Sequence, residues 1–352
     1  MATIHIVDIE AVSTRYTGQW REHVPELLKQ TGHVIKVIAG PTDIPDATTP
    51  GAFLNFGGTN IYKASQVEQI GRLFCAGEVK SGDHFLFTDA WHPGIINLKY
   101  MSELLNIPVK IHALWHAGSY DPHDFLGRLI GDAPWVRHTE KAFFHAIDHN
   151  YFATDFHIKL FFENLFDEGD KGSRYPKVIR TGWPMEYMEE MLAPYRGRAK
   201  RNMILFPHRV APEKQLPIFE DLRQSLPEYE FVVCQDRIRT KDEYHTLLGE
   251  AKLVFSANLQ ETLGISWYEG ALVGAIPMVP DRLSYSEMGM PEFKYPSEWT
   301  ESFEAYTANK AKVIERIRWY MENYDAYTEL VKIQVSLLKK DFFGAGNLLR
   351  MF

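Results

Sequence analysis

Residues 258–277 read Asn258-Leu259-Gln260-Glu261-Thr262-Leu263-Gly264-Ile265-Ser266-Trp267-Tyr268-Glu269-Gly270-Ala271-Leu272-Val273-Gly274-Ala275-Ile276-Pro277. They join two apolar runs that read as strands, 253–255 and 276–279, through a polar loop and a short helix. Strand, loop, helix and return strand form the repeating unit of a parallel sheet covered on both faces. Two carboxylates, Glu261 and Glu269, stand with seven residues between them. A helix starting near Leu263 leaves Glu261 in the loop and puts Glu269 nearly two turns in, with the backbone N–H groups of Leu263 and Gly264 unspent. A helix N-terminus with a glycine is a natural anion site.

The same alternation extends on both sides. Runs at 203–206 and 231–234 precede the stretch, and runs at 4–7, 34–39, 85–87, 109–111 and 151–153 alternate with helix-length segments, the first at 19–30. Between the two sets lies a polar, basic break, Pro194-Tyr195-Arg196-Gly197-Arg198-Ala199-Lys200-Arg201, which reads as a hinge. From residue 311 the pattern is helical, with Ile314, Ile317, Tyr320 and Met321 on one face and Leu330, Ile333, Val335 and Leu338 on another. The expected fold is α/β: two Rossmann-like, doubly wound domains facing a cleft, 1–195 and 196–325, with a C-terminal helix in 326–352 packing back on the first. Open parallel sheets bind ligands beyond the carboxyl ends of their strands, so the functional residues are sought there.

Bulk properties narrow the class. The 352 residues, 45% of them hydrophobic, suffice for two cores. No apolar run reaches the roughly 18–20 residues that cross a bilayer. The start, Met1-Ala2-Thr3-Ile4-His5-Ile6-Val7-Asp8, lacks the basic region and cleavage site of a signal peptide, so a cytoplasmic protein without a transmembrane segment is expected. Cys75 and Cys234, far apart and in apolar settings, read as buried free thiols. A net charge of −8 disfavours retention on nucleic acid or anionic membrane by bulk charge. No Asp-any-Asp pair, Walker loop or Cys/His cluster is visible, so no metal and no cofactor is expected, and Asp121-Pro122-His123-Asp124 reads as a helix cap.

Three more segments fall at strand ends. Phe206-Pro207-His208-Arg209-Val210-Ala211-Pro212-Glu213-Lys214 brings two cations, Arg209 and Lys214, to the end of the first strand of the second half, where they can neutralise an anion. Leu114-Trp115-His116-Ala117-Gly118-Ser119 places His116 just past a strand of the first half. Thr88-Asp89-Ala90-Trp91-His92-Pro93 sits likewise, with Asp89 able to orient a hydroxyl or to cap the next helix.

Taken together these segments resemble glycosyltransferase family 4. These are retaining enzymes of the glycosyltransferase-B type, which include sucrose synthases and bacterial mannosyl- and glucosyltransferases. In that family a Glu-seven-residues-Glu motif opens such a helix and an Arg-four-residues-Lys pair precedes it. The resemblance implies an enzyme transferring a hexose or pentose from a UDP-, GDP- or ADP-sugar co-substrate to an acceptor hydroxyl, by front-face displacement with retention.

It further implies a role for each residue. His116 and Glu261 meet the transferred sugar as catalytic residues. Arg209, Lys214, Leu263, Gly264 and Gly18 bind the donor diphosphate, and Glu269 holds the ribose. Thr17, Asp89 and Trp91 are acceptor-side candidates. The loop Arg15-Tyr16-Thr17-Gly18-Gln19-Trp20 departs from the family, which carries a glycine pair where this chain has Gly18 alone, and Gly57-Gly58 lies too far along the chain to substitute.

The first half has no basic amphipathic surface helix of the kind that binds lipid, which favours a soluble or glycan acceptor. Hydroxymethylated DNA is the alternative, with Lys171, Arg174, Lys177, Arg180, Arg196, Arg198, Lys200 and Arg201 forming a rim among Tyr175, Trp183 and Tyr195, although Glu186, Glu189 and Glu190 interrupt it. A nucleotide-sugar-binding protein without turnover is the reading from another class. An epimerase of this two-lobed type would lack the Glu-to-Glu spacing. No protein partner is evident.

Overall fold

The computed structural model describes residues 2–12, 15–44, 55–166, 176–237 and 240–352. The chain forms two compact units: Met1–Ala153, His157–Pro184 and Ala345–Phe352 make the first, and Thr154–Phe156 with Met185–Gly344 the second. The change of unit after Pro184 precedes the basic stretch read as a hinge. Most of the 326–352 segment belongs to the second unit, and its last eight residues, Ala345–Phe352, to the first. Of the basic rim, Lys171, Arg174 and Tyr175 lie outside the described residues.

The first unit runs β1 (Thr3–Val7), α1 (Tyr16–Lys29), β2 (Val34–Ile38), α2 (Phe56–Cys75), β3 (His84–Phe87), α3 (Gly94–Leu104), β4 (Lys110–Leu114), α4 (Phe125–Ile130), α5 (Pro134–Ala146), β5 (His149–Phe152), α6 (Asp155–Leu165) and β6 (Lys177–Arg180). Its six strands are parallel, in the order β2-β1-β3-β4-β5-β6. Central strands are buried on both faces, as in β3, where all four residues are buried. Helices close over them with apolar stripes: α1 buries Trp20, Val24 and Leu28, four residues apart. α2 instead turns Lys63 and Gln66 inward beside Tyr62, Ile70 and Phe74, because those polar groups find partners at the strand ends.

The second unit runs α7 (Tyr187–Leu192), β7 (Arg201–Phe206), α8 (Leu216–Ser225), β8 (Glu230–Val233), α9 (Cys234–Arg237), α10 (Lys241–Glu250), β9 (Ala251–Phe255), α11 (Ile265–Leu272), β10 (Ile276–Pro280), α12 (Tyr285–Met288), β11 (Lys294–Tyr295), α13 (Phe303–Glu322) and α14 (Tyr324–Asp341). A last short helix, α15 (Gly346–Leu349), belongs to the first unit. Five parallel strands take the order β11-β10-β9-β7-β8. Ile204, Phe206, Leu253, Phe255, Ile276 and Met278 from the sheet pack with Val313, Ile317, Tyr320 and Met321 of α13.

Both halves are therefore Rossmann-like, and four details depart from expectation. The loop expected at 15–20 is largely helical, because α1 starts at Tyr16 and takes in Gly18. The helix expected from Leu263 starts at Ile265, with Gly264 as its cap. Cys75 is exposed, being the last residue of α2, whereas Cys234 is buried. In α14 the buried residues are Val331, Gln334 and Leu338, and Ile333 is exposed.

Candidate functional site

In each sheet the winding reverses once, between β1 and β3 in the first and between β7 and β9 in the second. Loops leaving adjacent strands in opposite directions open a crevice at their carboxyl ends. All the residues singled out at strand ends fall at or next to these two places.

In the second unit a 3-10 turn, Pro212–Lys214, follows β7, and Leu259 N–H donates to the Glu213 carbonyl at 2.8 Å, tying the loop after β7 to the loop after β9. Arg209 donates to Glu213 Oε1 at 2.6 Å, and Lys214 Nζ donates to the Gln260 carbonyl at 2.6 Å while lying 3.4 Å from Glu261 Oε2. Glu261 Oε1 accepts from Gly264 N–H at 3.0 Å, so that amide is spent on the carboxylate rather than left open as expected. Arg282 clamps the same loop through the Asn258 and Ala257 carbonyls at 2.7 and 2.8 Å. The loop's carbonyls are thus tied down by Lys214 and Arg282, and its two cations are held in place by the carboxylates of Glu213 and Glu261.

Gly264 has no substitute. Its φ of +82° is left-handed, and a Cβ there would lie 2.6 Å from the Trp267 ring and 3.1 Å from that of Tyr285. The buried Leu263 side chain beside it anchors the turn.

Glu269 lies in the second turn of α11, and its Oε2 accepts from the Tyr244 hydroxyl at 2.9 Å. The surrounding protein pushes its carboxyl up to about 7, against the Tyr244 hydrogen bond and the Lys241 charge, which both favour ionisation. Tyr244, four residues into α10, has no counterpart among the expected site residues.

In the first unit His116 follows β4. Its Nε2 lies 2.6 Å from the Thr88 carbonyl and its Nδ1 lies 2.7 Å from the Tyr16 hydroxyl. A carbonyl only accepts, so Nε2 carries the proton and Nδ1 accepts from Tyr16. Burial lowers the pKa of His116 despite the nearby Asp89 charge, which keeps the ring neutral. Trp20 and Trp183 complete the aromatic cluster, with centroids 5.6 and 4.5 Å from the His116 ring.

Asp89 is not a helix cap. It accepts from Lys63 Nζ at 2.7 Å and from Trp91 N–H at 3.0 Å. Burial would raise its pKa, but the Lys63 charge and the hydrogen bonds from Lys63 and Trp91 N–H outweigh that and hold it below the usual carboxylate value. The Trp91 indole N–H donates to Glu140 Oε1 at 2.8 Å, and the same carboxylate accepts from Ser119 N–H at 2.7 Å and Ser119 hydroxyl at 2.6 Å. Fully buried Glu140 thereby joins the His116 loop to the Asp89 loop. Thr17 is buried and its hydroxyl accepts from Val12 N–H at 3.2 Å, bracing the loop after β1. Gly18, in the first turn of α1, donates to the Arg15 carbonyl at 3.2 Å. Asp121-Pro122-His123-Asp124 does end in a cap, Asp124 accepting from Leu126 N–H at 2.9 Å. Among the described residues no group of three or more His, Cys, Asp or Glu side chains is placed to hold a metal ion, and no helix is long and apolar enough to cross a membrane.

The structure thus gathers Arg209, Lys214, Glu261 and Gly264 around one loop pair, and His116, Asp89 and Trp91 around another. Sequence reading missed Tyr16, Lys63, Glu140 and Tyr244, whose partners lie far along the chain.

No protein-family model and no curated protein matches the sequence. Solved structures do match. An alpha,alpha-trehalose-phosphate synthase (UDP-forming) from Burkholderia vietnamiensis is 12% identical, with a TM-score of 0.56 over 99% of this chain and 97% of that one. Anabaena HepE in complex with UDP and glucose is 13% identical, with a TM-score of 0.54 over 97% and 96%. The catalytic domain of starch synthase IV from Arabidopsis thaliana, bound to ADP and acarbose, is 11% identical, with a TM-score of 0.51 over 95% and 99%. At these identities the likeness is one of fold: the chain has the two Rossmann-like units of the glycosyltransferase-B fold.

Proposed function

We propose that this chain is a glycosyltransferase that moves a sugar from a nucleotide-sugar donor to an acceptor hydroxyl with retention of configuration. The observation that carries the reading is the loop pair after β7 and β9, where Lys214, Glu261 and the Gly264 turn are held together at the start of α11. Arg209, Lys214 and the first amides of α11 take the diphosphate and stabilise it as it leaves. Glu261 faces the transferred sugar, Glu269 accepts from the ribose hydroxyls, and His116 meets a sugar hydroxyl. The acceptor oxygen attacks from the face the diphosphate leaves, which retains the configuration. Asp89, already ionised and aligned by Lys63, and Trp91 are the acceptor-side groups. The acceptor in this reading is soluble or a glycan, and Arg209 and Lys214 take the part that a divalent metal plays at other diphosphates.

A panel of UDP-, GDP-, ADP- and CMP-sugars, read by thermal shift and nucleotide release, tests the reading. One donor stabilises the protein and releases nucleotide when an acceptor is supplied. Stabilisation by none would sink it, and release stimulated by hydroxymethylated DNA would identify that acceptor instead of a glycan.

A pH dependence follows from Glu269. Its raised pKa means that the folded chain holds this proton above pH 4.5, so the group's contribution to stability is lost as pH rises through about 7. Nucleotide binding has the opposite sign, because ribose hydroxyls donate to the ionised form. The Kd for the preferred nucleoside diphosphate is expected to fall roughly five- to tenfold between pH 6 and 8, by calorimetry, and Glu269→Gln to remove most of that change. The same slope in wild type and variant would release Glu269 from the ribose.

A further inference from the structure

The geometry points to Tyr16 as a specificity-determining residue whose hydroxyl holds the position on His116 Nδ1 that a hydroxyl of the donor's sugar takes on binding. The inference rests on the proposed donor chemistry. It deepens that reading by saying what the sugar must displace.

The constraint begins at Thr88. Its N–H donates to the Val7 carbonyl at 3.1 Å and its hydroxyl accepts from Ile9 N–H at 2.8 Å, so the residue is fixed at the carboxyl end of β3. The Thr88 carbonyl in turn fixes His116 Nε2 as a donor. Turning the ring to offer Nε2 elsewhere would leave that carbonyl unpaired, at the cost of a buried hydrogen bond.

Only Nδ1 remains, and it has one in-plane lone pair. The Tyr16 hydroxyl occupies it at 2.7 Å. A sugar hydroxyl and the Tyr16 hydroxyl cannot both be strong donors to that nitrogen. Tyr16 is the first residue of α1, and its ring rests on Trp20 and Trp183, each with a centroid separation of 5.1 Å. The ring also stacks on His116 itself, at 5.9 Å between centroids, so the competing hydroxyl is held at the nitrogen by packing as well as by its hydrogen bond.

The consequence separates a nucleoside diphosphate from the corresponding nucleotide sugar. The diphosphate makes no demand on His116, so its affinity is independent of Tyr16. The sugar must replace an existing hydrogen bond, which reduces its contribution to binding. Removing the Tyr16 hydroxyl takes away that competitor for Nδ1.

Calorimetric titration of wild type and Tyr16→Phe with UDP, ADP and GDP and with UDP-glucose, ADP-glucose and GDP-mannose tests this. For the pair that binds, the affinity ratio of nucleotide sugar to diphosphate is expected to rise roughly three- to tenfold in Tyr16→Phe, with the diphosphate unchanged. An unchanged or reduced ratio overturns the inference. A reduced one would mean that Tyr16 stays on His116 and receives the sugar on its own oxygen.

A second measurement uses the unaltered chain. In 15N-histidine spectra, the nucleotide sugar should shift the His116 Nδ1 resonance beyond any change caused by the diphosphate while Nε2 remains protonated. Equal spectra would also defeat the inference. Failure of wild type to bind any of the six compounds would remove the donor reading itself and this inference with it.

Discussion

Glu261→Gln is expected to lower turnover by roughly 10²–10³-fold while the protein keeps its fold, the scale seen when one preorganised electrostatic group is removed from a reacting centre. The substitution preserves shape. An amide oxygen can still accept from Gly264 N–H, the contact that now measures 3.0 Å at Oε1. It removes the negative charge facing Lys214 Nζ at 3.4 Å and the sugar that the carboxylate is proposed to meet. The pair is largely buried, with Lys214 about 7% and Glu261 about 20% exposed, so some stability is lost with the counter-charge, while Lys214 keeps its bond to the Gln260 carbonyl. Nucleotide release with the preferred donor and acceptor measures the effect, and thermal unfolding checks the fold. A rate within a few-fold of wild type would take Glu261 out of the chemistry. A large fall in melting temperature would instead mark it as a structural clamp for its loop.

Gly264→Ala should act on stability and activity together. The left-handed conformation costs an alanine roughly 1–2 kcal/mol. The new methyl would also sit 2.6 Å from the Trp267 ring, which is fully buried and has nowhere to retreat. Together these give roughly 2–4 kcal/mol, which for a unit of this size lowers its unfolding temperature by roughly 5–15 °C. Because the same turn carries the amide bound to Glu261 and starts α11, diphosphate affinity should fall as well. Differential scanning calorimetry and titration with the preferred nucleoside diphosphate read the two effects. Normal stability would mean that the turn can be rebuilt, and normal affinity that the α11 terminus does not hold the anion.

Much of the architecture was legible because central parallel strands are short apolar runs set between helix-length segments, as at 203–206, 253–255 and 276–279. The strands that escaped reading were the edge elements. β6 carries Lys177 and Arg180 at its ends and β11 is only two residues long, so neither gives a buried run. The backbone start of α11 was misplaced by two residues because a glycine in the left-handed region can cap a helix as well as open one.

At the candidate site, Arg209, Lys214, Glu261 and Glu269 could be singled out because their spacing is local, along two loops and one helix. The other half of the site is made by long-range pairs. Tyr16 and His116 are 100 residues apart, and Trp91 and Glu140 are 49 apart, distances at which no periodicity survives. Nothing in the sequence around Lys63 sets it apart from any other lysine of a helix-length segment. Only the fold shows that it aims at Asp89.

The buried carboxylate of Glu140 has a consequence for anyone who wishes to redesign what this protein acts upon. Trp91 is an obvious residue to diversify, yet its indole and the Ser119 loop draw on the same two oxygens. Randomising Trp91 removes one of the three donors to that buried carboxylate, so Ser119 alone has to hold it. Libraries in which Trp91 varies while position 140 stays glutamate or becomes glutamine, so that Ser119 keeps an acceptor, should yield far more soluble clones than those that make position 140 apolar.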